Sequence, residues 1–86
     1  MGKIVSFDNC AISVYAAGEH PPPHFHIRGP NTKLSISIAT LEIVKGRQYS
    51  KKDLEQALAW ASEPDNRVLL LNEWERLNGR DRHRPD

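Results

Sequence analysis

Residues 24–38 read HFHIRGPNTKLSISI and alternate polar and apolar side chains twice, on either side of a turn. No other stretch limits the fold of this chain as strongly. In HFHIR (24–28) Phe25 and Ile27 take one face and His24, His26 and Arg28 the other, because successive strand side chains point to opposite sides. In KLSISI (33–38) Leu34, Ile36 and Ile38 oppose Lys33, Ser35 and Ser37 in the same way. Gly29-Pro30-Asn31 supplies a turn between them. A hairpin with one buried face has a specified register, since a slip of one residue would expose its whole apolar set. Pairing around Gly29–Thr32 puts Arg28 opposite Lys33, His26 opposite Ser35 and His24 opposite Ser37.

The sheet extends on both sides. IVSF (4–7) and AISVY (11–15) are short β-type runs split by Asp8-Asn9, and LEIVK (41–45) ends at Gly46. A turn at Ala39-Thr40 sets Ile38 opposite Leu41, Ser37 opposite Glu42 and Ile36 opposite Ile43. A polar row His24, Ser37, Glu42 results, with His26 and Ser35 beside it. Two features strain this arrangement. Ala-Thr is a poor two-residue hairpin loop. Arg28 opposite Lys33 is a like-charge pair, which a bound anion would relieve and a one-residue bulge would equally remove.

The second half is helical. Ser50-Lys51-Lys52-Asp53 has the form of a capping box with Asp in the acidic position. Leu54, Ala57, Leu58 and Ala61 follow at helical spacing with Trp60 on their flank. Ser62-Glu63-Pro64-Asp65 restarts the pattern; Leu70, Leu71, Trp74 and Leu77 form a second stripe, closed by Asn78-Gly79. Core packing is the expected role of both tryptophans. The expected fold class is α+β: an antiparallel sheet of about five short strands with two C-terminal helices packed on one face. Residues 1–79 are expected to form a single α+β domain, and RDRHRPD (80–86), which has no apolar residue, a flexible tail. The polar sheet face is then where function is sought.

Charge excludes a dedicated nucleic-acid binder with a global basic excess. Residues 1–50 carry five basic and three acidic side chains and the rest seven and eight, so only a local patch could meet a polyanion. Lys45, Arg47, Lys51 and Lys52 form one such patch at a helix N-terminus, where positive charge opposes the macrodipole and favours a local anionic partner. The single cysteine, Cys10, excludes an internal disulfide. No apolar run approaches the length of a membrane span and no signal peptide opens the chain, so a cytoplasmic protein without a membrane partner is expected.

EHPPPHFHIRG (19–29) concentrates the candidate chemistry. His24 and His26 lie about 6.5–7 Å apart on one strand face, close enough to share a metal. The third ligand is hard to find. Across extended prolines His20 lies roughly 12 Å from His24, leaving Glu42 as the alternative, so neither metal nor cofactor is assigned. In an acid–base reading His24 and His26 act, Glu42 orients them, and Arg28 or Lys33 holds an anion such as an RNA phosphate. Ser35, Ser37, Glu19 and His20 complete the candidate binding residues. In a third reading the histidines hydrogen-bond neighbouring serines and carbonyls or contact a protein.

Tyr15, Glu19-His20, Pro22-Pro23-His24-Phe25-His26, the strand 33–38, Leu41-Glu42, Gly46, Trp60 and Trp74 together resemble one small prokaryotic family, domain of unknown function 4160. The resemblance covers residues 4–78, and PPHFH is its most specific element. Pro21 departs from the pattern, where a polar residue is usual. Such proteins are commonly encoded beside a second small protein, of the family domain of unknown function 2442. The resemblance therefore implies the toxin component of a bacterial type II toxin–antitoxin module, neutralised by that cognate antitoxin; action on RNA through the His-rich face is the expectation that the residues themselves add. The competing expectations are a small metal-binding or hydrolytic enzyme and a non-catalytic protein-interaction module.

Overall fold

The computed structural model describes residues 3–15 and 22–79. Five antiparallel strands form one open sheet in chain order: β1 (Lys3–Ser6), β2 (Ala11–Ser13), β3 (His24–Gly29), β4 (Thr32–Ser37) and β5 (Ile43–Gln48). Two helices follow, α1 (Lys51–Ala61) and α2 (Pro64–Trp74), and α2 runs on into a π-helical turn, Glu75–Gly79. The architecture is the α+β arrangement expected, and the helices close the C-terminal end.

The central hairpin has the register that alternation demands. His24 pairs with Ser37, His26 with Ser35, Arg28 with Lys33 and Gly29 with Thr32, with no shift along the ladder. Arg28 and Lys33 are thus truly opposed, and no bulge separates them. Ile12, Val14, Phe25, Ile27, Leu34, Ile36 and Ile38 join Ala57, Ala61, Leu70 and Trp74 in one buried cluster. Each large apolar side chain fully buried there contributes about 1.5–3 kcal/mol. Leu70 and Trp74 lie one helical turn apart and face inward; Leu71, expected in the same stripe, is about 100° further round the helix and exposed.

The β4–β5 connection differs from the two-residue turn expected at Ala39-Thr40. The Leu41 N–H donates to the Ser37 carbonyl at 2.8 Å and the Ser37 N–H to the Glu42 carbonyl at 2.9 Å. Ser37 and Glu42 therefore close a four-residue loop, and Ile38 does not pair with Leu41. Leu41 takes φ 63°, a left-handed conformation uncommon outside glycine and Asn or Asp. The longer loop takes Ala39 and Thr40 out of a two-residue turn and moves the left-handed position to Leu41.

β5 also continues past Gly46, where the sequence suggests an end. Ile43 pairs with Ile36, Lys45 with Ser35 and Gln48 with Lys33, so an extra β5 residue enters between each successive pair. The second irregularity holds Gly46, at φ 104°, and a Cβ there would stand 2.5 Å from the Lys33 carbonyl oxygen. Gly46→Ala is expected to destabilise the protein by about 1–3 kcal/mol, as forced left-handed residues do. Urea unfolding of the variant checks this.

At the start of α1, Ser50 is the N-cap and its hydroxyl accepts from the Asp53 N–H at 3.0 Å. The return arm of the expected capping box is relayed. The Thr32 hydroxyl accepts from the Ser50 N–H at 3.1 Å and donates to the Asp53 carboxylate at 2.6 Å. A β4 residue thereby anchors the first turn of α1.

Candidate functional site

The polar face of the central hairpin is covered where the sequence suggests it should be open. His24, His26 and Ser35 are each 8% exposed and Ser37 6%. A line of rings crosses the histidines. The Trp74 ring, at the end of α2, lies 4.8 Å from that of His24; His24 and His26 are 5.1 Å apart, edge to face; the Tyr15 ring lies 4.6 Å from His26. The Arg28 guanidinium continues the line, 5.7 Å from the centre of the Tyr15 ring. Such contacts are worth about 0.5–1.5 kcal/mol each beyond burial. Trp74 thus serves the core, as expected, and also packs on a candidate site residue.

Hydrogen bonds orient both imidazoles. His24 Nδ1 lies 2.8 Å from the Pro22 carbonyl oxygen. A carbonyl only accepts, so Nδ1 carries a proton and Nε2 is the basic nitrogen of the neutral ring. The proline run therefore ends by holding His24. His26 Nδ1 is 3.2 Å from the Ser35 hydroxyl, the cross-strand partner that register supplies.

Beside His26 opens a cleft of about 300 Å³, lined by His26, Arg28, Lys33, Ser35, Lys45 and Gly46 among others. Three cations converge on it and its lining includes no carboxylate. Among the described residues the ion pairs are Lys51–Glu55 and Arg76–Glu73, so none neutralises Arg28, Lys33 or Lys45. The opposed Arg28–Lys33 pair is unfavourable by itself, and an anion between them converts repulsion into attraction. Lys45 reaches the cleft through the first irregularity in β5. An unbulged strand would put residues 43 and 45 on one face, yet Ile43 pairs with Ile36 and Lys45 with Ser35. From sequence alone Lys45 belongs to a surface cluster: the extra residue that turns it toward the cleft falls at Val44, where no glycine or proline marks it, while Gly46 marks only the second irregularity.

The remaining candidates are placed less centrally. The Ser37 hydroxyl accepts from the Thr40 N–H at 3.2 Å and so serves the loop. Glu42 is exposed, its N–H donates to the Thr40 hydroxyl at 3.2 Å, and among the described residues no hydrogen bond or ion pair joins its carboxylate to either histidine. Glu19 and His20 lie outside the described residues. Among the described residues no three His, Cys, Asp or Glu side chains are grouped to hold a metal. Cys10 is buried, and burial followed by the negative charge of Asp53 pushes its thiol above the ordinary range, which disfavours the reactive thiolate. No helix among the described residues is long and apolar enough to cross a membrane.

The family model described as Domain of unknown function (DUF4160) matches residues 10–75. That span runs from the turn before β2 to just past Trp74 and contains His24, His26 and all three cleft cations. No curated protein and no solved structure matches the chain. The family match covers well over half of the 86 residues, including the whole candidate site, and the chain belongs to the Domain of unknown function (DUF4160) family.

Proposed function

We propose that this protein binds RNA by seating a backbone phosphate among Arg28, Lys33 and Lys45 beside His26, as the toxin component of a type II toxin–antitoxin pair. The carrying observation is the convergence of three cations, without a carboxylate, on one cleft. Arg28 offers planar two-point contact to a phosphate, while the lysines act as point charges. The Ser35 hydroxyl and the His26 ring line the same cleft. The family resemblance supports the pairing with a small cognate antitoxin of the domain of unknown function 2442 type.

The geometry favours binding over two-histidine chemistry at one phosphate. His26 lines the cleft, whereas His24 is not among the lining residues and its ring packs 5.1 Å from that of His26 and 4.8 Å from that of Trp74. His24 is then the neighbour that fixes the His26 ring.

Titrating the purified protein with a short oligoribonucleotide over a range of salt concentrations tests the cleft. Lys33→Gln and Lys45→Gln should each weaken binding and reduce the steepness of the salt dependence by about one unit of log K per log salt. Equal affinity and equal salt slope in the wild type and the double variant would overturn the assignment. Expression with and without the neighbouring gene tests the toxin role. Growth arrest relieved by the neighbour supports it, and harmless overexpression with no complex recovered sinks it.

A further inference from the structure

We infer that the nucleic acid is single-stranded and that its track leaves the cleft along β5, with a base stacked on Tyr49. This rests on the reading of the cleft as a phosphate site and adds the class of ligand and its path. Residues 43–49 are all exposed, and so are Lys51 and Lys52 beyond the half-buried Ser50. Between Lys45 and Lys52 the chain carries four cations and no acid, and the next acid, Asp53, is buried against Thr32. Lys51 faces Glu55 at 3.9 Å, which leaves Lys45, Arg47 and Lys52 as the cations of this strip without an ion pair among the described residues.

Tyr49 lies within that strip and is 44% exposed. The other aromatic side chains, Phe7, Tyr15, Phe25, Trp60 and Trp74, are buried or half-buried. A large ring left in water beside cations is the arrangement that binds unpaired bases, because every base has a face to stack and a duplex hides it. At about 3.3 Å per residue Tyr49 lies roughly 13 Å along the chain from Lys45, a span that a few nucleotides cross.

The same edge suits an added protein strand poorly. Both irregularities bend β5, and Lys45 and Arg47 place like charges along it, two devices by which sheet edges resist further pairing. A basic, bent edge continuous with an anion cleft matches a flexible polyanion.

Three probes decide the matter: a short single-stranded oligouridylate, an RNA duplex of the same length, and inorganic pyrophosphate. The single strand should bind more tightly than the duplex. Tyr49→Ala should weaken it by roughly five- to a hundredfold, the range of base–aromatic stacking, while Tyr49→Phe retains affinity. Pyrophosphate binding should be unchanged in Tyr49→Ala and weakened in Lys45→Gln. Wild-type affinity of Tyr49→Ala for the single strand, or equal binding of duplex and single strand, overturns the track. If pyrophosphate still binds in a Lys45-dependent way, the cleft assignment survives that result; if it does not bind at all, both fall.

Discussion

Trp74→Ala is expected to cost about 3–5 kcal/mol of stability, the usual loss when a large aromatic is removed from a core. Trp74 is 3% exposed and belongs to the cluster that joins both helices to the sheet. Its position magnifies the loss. It ends α2, packs on His24 at 4.8 Å, and precedes the π-helical turn in which the Asn78 side-chain amide donates to the Tyr15 carbonyl at 2.8 Å. One deletion therefore opens a cavity and loosens both ends of the ring line over the histidines. Domains have only about 5–15 kcal/mol to lose, and small ones bury proportionally less surface. Urea unfolding followed by the fluorescence of Trp60 measures the effect, with Trp74→Phe expected to lose much less. A cost below about 1 kcal/mol would contradict the central packing role.

Thr32→Val should rank second, with an expected loss of about 2–3 kcal/mol from a buried carboxylate and a part-buried N–H left without their partner. The substitution preserves shape and removes only the hydroxyl. Thr32 is 1% and Asp53 3% exposed, so the carboxylate would not readily find water instead, while the half-buried Ser50 N–H loses its partner at smaller cost. Helix α1 would then start less firmly, since the Asp53 charge in its first turn also complements the helix dipole. Thr32→Ser, which keeps the hydroxyl, separates this effect from changes in packing. Thermal unfolding of the three proteins checks the order: wild type, then Thr32→Ser, with Thr32→Val well below both.

The bond to Asp53 also shows where sequence reading stops. Ser50 is legible as an N-cap because the capping pattern is local. Thr32 lies 21 residues from Asp53, and no periodicity connects them. The register of His24, His26 and Arg28 against Ser37, Ser35 and Lys33 was legible for the opposite reason: a buried alternating face admits one alignment. The anion cleft was half legible. Arg28 and Lys33 were evident as an opposed like-charge pair, whereas Lys45 required the irregular pairing of β5 to be seen.

By itself, then, the sequence determined which elements form, how the central strands align and which side chains share a face. Those properties follow from periods of two and 3.6 residues and from turn chemistry acting over a few positions. Only the tertiary structure decided which polar residues stay wet. Tyr15 and Trp74 are distant in the chain, yet their rings flank the histidine pair, each member of which is buried. Arg28, Lys33 and Lys45 remain exposed around the cleft beside it. EHPPPHFHIRG thereby contributes to the site one imidazole at the cleft, a second packed beside it and one exposed guanidinium. The physical reason is that strand alternation assigns a side chain to a face, while long-range packing determines whether that face meets solvent.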